Sequence, residues 1–337
     1  MSAKGLGLHE LQLEWTQRAI TENPEDGWAW AQYGDALLLN NQLEQALQAY
    51  RETAAFGNYE DNVVAKTGRA EVLKAMGHFD EALNAYQDVM AGHPENVVAK
   101  TGRAEVLKAM GRLDEALNAY EDAMAGHPEN VVAKTGRAEV FKAMGRLDEA
   151  LNAYEDVIAG RPEDVVAKTG CAGVFFLLGE YEQALRLLPQ RQPTTQEEWI
   201  GWHVRGMIYL DRGDLAQATR DLQLGVEQCP LPSQRDYFRS ALALAKTRIG
   251  DWAGAREQVD RITNPLLEEK TNVIRFRIYA HNGDRAGMER TVKALETKQT
   301  SVCIELTAEL RRRFLDKKPG DHSERWLEQK TVHCLAA

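Results

Sequence analysis

Long apolar runs are missing from this 337-residue chain, and no stretch approaches the roughly 18 uninterrupted apolar residues that a membrane-spanning helix needs. Cysteine is scarce: Cys171, Cys229, Cys303 and Cys334 are far apart and form no Cys-x-x-Cys pair. That spacing excludes a zinc ribbon or a redox dithiol and makes reduced thiols the expected state. Positive charge is also in deficit, with 41 Lys and Arg against 51 Asp and Glu, a net charge of -10 and a pI near 5.4. Such a surface repels phosphate at long range, so general attraction to nucleic acid is not expected. Residues Met1 to Leu13 carry one lysine and no apolar core followed by small residues, so no secretory signal is read there and a cytoplasmic location is expected. No His-Glu-x-x-His, Gly-x-Ser-x-Gly or glycine-rich phosphate loop occurs. The reading is therefore of a non-catalytic protein without metal or cofactor.

What the chain does have is a copy of itself. Units of 34 residues start at Val63, Val97 and Val131, and a weaker fourth starts at Val165. Hydrophobic residues at 44% are enough for a folded chain, and repeats of this length read as a helical solenoid, which grows without one central core. Each copy divides at Gly77, Gly111 or Gly145. An Asp-Glu-Ala-Leu segment then opens a second helix with acids in its first turn, where the helix dipole favours them. That helix is expected to stop at Ala-Gly-His-Pro, with Gly92 and Gly126 in the left-handed conformation and Pro94 and Pro128 blocking continuation.

The residues in phase are a small one at position 8 (Ala70, Ala104, Ala138), glycine at 15, alanine at 20 (Ala82, Ala116, Ala150), tyrosine at 24 (Tyr86, Tyr120, Tyr154) and proline at 32. This pattern resembles the tetratricopeptide repeat family. The resemblance implies an all-α, right-handed superhelical solenoid of about eight helix-turn-helix units with capping helices. Less regular units extend the phase through Trp30, Gly34 and Tyr50 on one side and Trp202, Gly206, Gly213, Gly250 and Gly283 on the other. The expected organisation is an N-terminal capping helix (1–26), an N-terminal array (27–188), a C-terminal array (189–298) and a closing helix with its tail (299–337). Pro189 falls where a second helix should still be running, so residues 189–198 are expected to form a loop or hinge. The copies depart from the family at position 4 (Lys66, Lys100, Lys134, Lys168) and position 7 (Arg69, Arg103, Arg137), where aliphatic stems can cover apolar surface while the charges reach water.

In the family, positions 2, 5, 6, 9, 12 and 13 of the first helix face the concave side. The resemblance therefore puts Thr67, Glu71 and Lys74 on that wall, repeated as Thr101, Glu105, Lys108 and as Thr135, Glu139, Lys142. The glutamate and lysine are three apart on a helix turn and can pair within a helix or with the next repeat. At position 6 stand Gly68, Gly102, Gly136 and Gly170, each costing a helix interior roughly 1 kcal/mol relative to alanine. Three explanations stay open: crowding that admits only a hydrogen atom, a shallow groove for a partner's backbone, or a helix that begins only at the threonine as N-cap. Where the pattern breaks, the inward places become Phe176 and Leu177, then His203, Met207 and Leu210, an apolar wall suited to a partner helix or extended segment.

The leading functional expectation is a scaffold or adaptor that binds another protein or peptide in the concave groove. A regulatory or sensor subunit hinged at Pro189 is the second reading. The third is nucleic-acid association through first-helix lysines and the cluster Arg311, Arg312, Arg313, Lys317, Lys318, although cations in a last helix turn more often offset its dipole. Co-chaperone members of the family hold a terminal carboxylate with lysine at position 5 and asparagine at 9; threonine and glutamate stand there here, so that role is not expected. His93 and His127 lie one repeat apart, too far to share a metal ion.

Overall fold

The computed structural model describes residues 7–297 and 301–315. These form eighteen α-helices in sequence, with no strand among the described residues. An opening helix, α1 (Gly7–Glu22), is followed by eight pairs. Their first, or A, helices are α2 (Gly27–Leu39), α4 (Tyr59–Ala75), α6 (Val97–Ala109), α8 (Val131–Ala143), α10 (Val165–Leu177), α12 (Gln196–Arg212), α14 (Pro232–Arg248) and α16 (Glu268–His281). The second, or B, helices are α3 (Leu43–Phe56), α5 (Phe79–Gly92), α7 (Leu113–Gly126), α9 (Leu147–Gly160), α11 (Tyr181–Leu187), α13 (Leu215–Gln228), α15 (Trp252–Asp260) and α17 (Arg285–Glu296). A closing helix, α18 (Ser301–Leu310), runs into a π-helical turn, Arg311–Leu315. Lys317, Lys318, Cys334 and residues 316–337 generally lie outside the described residues.

The chain divides into two compact units, residues 1–201 with 230–233, and 202–229 with 234–337. The first unit carries the near-identical copies. Its A helices start on a side chain: Asn96, Asn130 and Asp164 accept from the amides of Ala99, Ala133 and Ala167 at 2.8–2.9 Å, satisfying one of the donors that a helix start leaves free. The threonine at position 5 is therefore well inside the helix, and its hydroxyl donates back to the carbonyl four residues earlier, as from Thr101 to Val97 and Thr135 to Val131. The alternative that the helix begins at this threonine does not hold.

Between A and B the chain turns on Gly77, Gly111, Gly145 and Gly179, at φ from +73° to +78°, a conformation that a Cβ disfavours. Gly92 and Gly126 differ from expectation. They stay in the helix with negative φ, and the B helix ends instead on His93 and His127 at φ -138°. An Asn96 to His93 backbone bond of 3.0 Å, repeated from Asn130 to His127, closes the loop around the proline, so no left-handed residue is needed.

The core of this unit is a continuous row of alanines, valines and leucines from both helices of each pair, with Tyr50, Tyr86, Tyr120 and Tyr154 as its largest members, each 2% exposed or less. The position-4 lysines lie along this surface as anticipated. The Lys100 side chain is only 8% exposed and its ammonium reaches Glu95 and Asp122 at 3.4 and 3.6 Å. Lys134 and Lys168 reach Glu129 and Glu163 in the same way, both at 3.2 Å. Arg137 and Arg146 sit over the Phe141 ring, 5.8 and 4.6 Å from its centre. In the second unit, Leu306, Leu310, Phe314 and Leu315 pack on Val273, Phe276, Val292 and Leu295, so the closing helix covers the apolar end of the last pair.

Candidate functional site

The glycines at position 6 are explained by what faces them. A Cβ on Gly102 would stand 2.4 Å from the Tyr86 ring, on Gly136 2.3 Å from Tyr120, on Gly170 2.3 Å from Tyr154 and on Gly68 2.2 Å from Tyr50. Each glycine is thus the seat of the tyrosine from the preceding B helix. Crowding is the reason, but the crowding group is a B-helix tyrosine and not the adjacent first helix expected from the sequence, and the space above the glycine is closed to a partner's backbone. The ring is pinned at its far end too: the Tyr86 hydroxyl donates to Glu71, that of Tyr154 to Glu139, and that of Tyr50 to Asp35 at 2.6 Å. Burial, followed by the nearby glutamate charge, raises the pKa of Tyr86 and Tyr154 far above the ordinary phenol value, so both remain donors at every physiological pH.

The same glutamates build a charge ladder. Lys74 pairs with Glu71 of its own helix at 2.6 Å and with Glu105 of the next repeat at 2.5 Å, and Lys142 pairs with Glu139 at 2.7 Å. Burial alone would raise the Glu139 carboxyl, but Lys142 and Lys108, together with hydrogen bonds from Lys142 and Tyr154, hold it below the usual carboxylate value. For Lys74, burial acts to lower the pKa and the two glutamates outweigh it, so it lies above the usual lysine value. Both pairing modes read from the sequence therefore occur together. The ladder stops at α10, where Gly173 takes the glutamate's place and Phe176 the lysine's.

The anticipated apolar residues fare unequally. Leu177 is 42% exposed, whereas Phe176 is buried and tilted against Tyr181, with ring centres 6.2 Å apart. In the second unit Met207 and Leu210 are buried in the core, and His203 is half-buried, meeting Tyr237 and Phe238 edge-on at 6.1 and 5.4 Å. Burial, then the Lys270 charge, depresses the His203 pKa to about 4. Its folded value lies below the unfolded one near 6.5, so the stabilisation is full above pH 6.5 and is lost as pH falls towards 4. Thermal unfolding followed against pH should show that decline, and His203→Leu should flatten it.

Exposed apolar surface is instead concentrated at position 2. Val98, Val132, Val166 and Ile200 follow one another at intervals of 34 residues and are 54%, 53%, 47% and 45% exposed; Trp28, the second residue of α2, is 56% exposed. On each copy's A helix the valine, threonine, glutamate and lysine, for example Val98, Thr101, Glu105 and Lys108, are spaced three or four apart and fall on one face. The valines were among the inward positions of the repeat, but valine in a helix reads as core, and only the exposure separates them from it. At the other end of the chain Arg311 pairs with Glu296 at 2.7 Å, and Arg312 and Arg313 both pair with Glu309. Three guanidinium groups thus share two carboxylates, Glu296 and Glu309. Among the described residues no three His, Cys, Asp or Glu stand where they could hold a metal ion, and no helix is long and apolar enough to cross a membrane.

Models of the tetratricopeptide repeat match residues 15–48 and the overlapping stretches 73–138, 108–164 and 141–199. A tetratricopeptide repeat protein from Parabacteroides merdae has a similar solved structure, with 20% identity over 69% of this chain and 90% of that one at a TM-score of 0.55. A structure of the APC/C hetero-tetramer Cut9–Hcn1 is similar at 15% identity and a TM-score of 0.57, covering 90% of this chain and 60% of that one. At these identities the likeness is one of fold alone. No curated protein matches the sequence. The in-phase small residues, tyrosine and glycine, the paired helices they build and the models that match them agree: this chain belongs to the tetratricopeptide repeat family.

Proposed function

We propose that the chain is a protein-binding scaffold whose working surface, within the first unit, is the A-helix face carrying Val98, Val132, Val166 and Ile200 beside the glutamate–lysine ladder. The tetratricopeptide fold typically serves as a non-catalytic scaffold, and its members generally mediate protein–protein interactions. The observation that carries the reading is the row of four branched aliphatic side chains left in solvent at one position of four successive repeats. An isolated exposed valine needs no explanation, but an aligned series of them marks a contact surface.

Neighbouring helices pack about 8–10 Å apart, so the occupant is a segment presenting apolar side chains at that interval: every seventh residue of a helix, about 10.5 Å, or every third residue of a polyproline II segment, about 9.3 Å. The ladder beside the row contributes selection more than attraction. Its charges neutralise one another, so the partner supplies polar groups that hydrogen-bond to Glu and Lys in place of a block of one charge, while Thr101 and Thr135 are buried and bonded to their own helix. Leu177 extends the surface where the ladder ends, while buried Phe176, Met207 and Leu210 are left out of the proposed contact.

Recovery of partners by the immobilised full chain tests this. Val132→Asp with Val166→Asp puts two charges into the centre of the row at exposed sites, where the fold has little to lose. A partner retained by the wild type and lost by the double variant, at unchanged Tm, is the expected result. Equal recovery by both proteins removes the face from the proposal.

A further inference from the structure

The fifth repeat has a B helix of only seven residues, Tyr181–Leu187, against fourteen in each of α5, α7 and α9. Aligned on the 34-residue period, Leu188 stands where Tyr154 stood, Pro189 for Glu155, Gln190 for Asp156 and Arg191 for Val157. Proline removes the amide that the next turn needs, and the chain leaves the helical path. Where the earlier repeats have two more turns, this one has a cavity of about 560 Å³, lined on its apolar side by Val165, Leu187, Leu188 and Pro189.

The intact repeats show what belongs in such a place. The residue at position 27 is buried, Val89, Ala123 and Val157 being 1%, 0% and 3% exposed. In the third repeat the acid at position 26 faces the position-4 lysine, Asp122 reaching Lys100 at 3.6 Å beside Glu95 at 3.4 Å. In the fifth repeat the lysine is kept as Lys168, paired with Glu163 at 3.2 Å, and Gln190 stands where the B-helix acid stood. Arg186, on the same rim, makes no ion pair or hydrogen bond among the described residues. Arg191 is held outward by Glu198 at 3.1 Å. An apolar floor is thus bordered by one unpaired cation, Arg186, and by Lys168, which holds Glu163 but has no B-helix acid of the kind that Asp122 offers Lys100.

We propose that this cavity is a docking site for a short amphipathic helix of a partner protein, about two turns long. It bears a branched aliphatic residue flanked by acids and lies where the missing turns of the B helix would run. The surface is separate from the A-helix face and does not depend on it. The aliphatic residue takes the position of Val157, and the acids meet Lys168 and Arg186.

The chain supplies its own probe: a labelled, end-capped peptide of residues 151–161, LNAYEDVIAGR, is the stretch that fills this position one repeat earlier. Fluorescence polarisation with the full-length protein should show saturable binding at about 10–100 μM, weak because a peptide this short is only marginally helical on its own. Replacing the peptide's Glu and Asp by Lys should weaken binding about tenfold, and Arg186→Glu in the protein should do the same to the original peptide. The charge-reversed peptide should regain affinity for the Arg186→Glu protein. Absence of saturation up to about 1 mM overturns the proposal. So does binding that is indifferent to the peptide's charge, a comparison made on the unaltered protein and independent of how any variant folds.

Discussion

Replacing Gly102, Gly136 and Gly170 together by alanine is expected to lower the stability of the first unit by about 3–6 kcal/mol, although helix propensity alone argues for a gain of about 1 kcal/mol at each position. The sign is decided by the rings. Each new Cβ arrives 2.3–2.4 Å from carbons of Tyr86, Tyr120 or Tyr154, which are at most 1% exposed. A tip that could swing into solvent would make the clash cheap. These rings are packed on all sides, and the hydroxyls of Tyr86 and Tyr154 are tied to Glu71 and Glu139, so relief requires moving a helix or breaking that bond. Urea unfolding reads the loss directly. Tyr120→Leu in a Gly136→Ala background should recover part of it, since shortening the ring vacates the space that the methyl takes. A triple variant as stable as the wild type would show that the tyrosines do not fix the spacing of the repeats.

The fold was legible because its signals are local and repeated: turn glycines at one interval, an acid-rich first turn, a proline beyond the second helix of each copy. Even the shortened α11 was readable from Pro189. The reason for the glycines was not, because Tyr120 and Gly136 are contributed by different repeats and no periodicity says which pairs meet. Once the pairing is known it reappears as a sequence rule: where Tyr becomes Leu188, the following position 6 becomes Val204. The candidate face was read in part. Glutamate and lysine three apart announced their ladder, but Met207 and Leu210 were assigned inward positions by a register taken from the copies, and the chain buries them. Val98 and Val132, at inward position 2 of the repeat, are exposed together with Val166, but an aliphatic in an A helix carries no mark of whether anything covers it.

Asp236, in the helix Pro232–Arg248, is wholly buried. Its carboxylate accepts from the amides of Thr263 and Asn264 at 2.8 and 2.9 Å, from the Thr263 hydroxyl at 3.1 Å and from Arg239 at 2.6 Å. Arg239 also donates to the Arg261 carbonyl at 3.2 Å, so one acid–base pair fixes the connection that follows the short helix α15. Asp236→Ala leaves two backbone amides and a guanidinium without their acceptor in a dry environment, at an expected loss of about 3–5 kcal/mol. Asp236→Asn keeps the shape and, with its carbonyl oxygen on the Thr263 and Asn264 N–H donors, sets its NH2 group against Arg239, and should lose about half as much. Hydrogen exchange separates this from general destabilisation. The Thr263 and Asn264 amides should lose protection in Asp236→Ala before the core of α14 does, and less so in Asp236→Asn, because the side-chain oxygen is their acceptor and the α14 core amides bond within their own helix. Uniform loss across the second unit, or an Asp236→Ala variant within about 1 kcal/mol of the wild type, would mean that the connection is held by the packing of Leu267 and its neighbours and not by the acid.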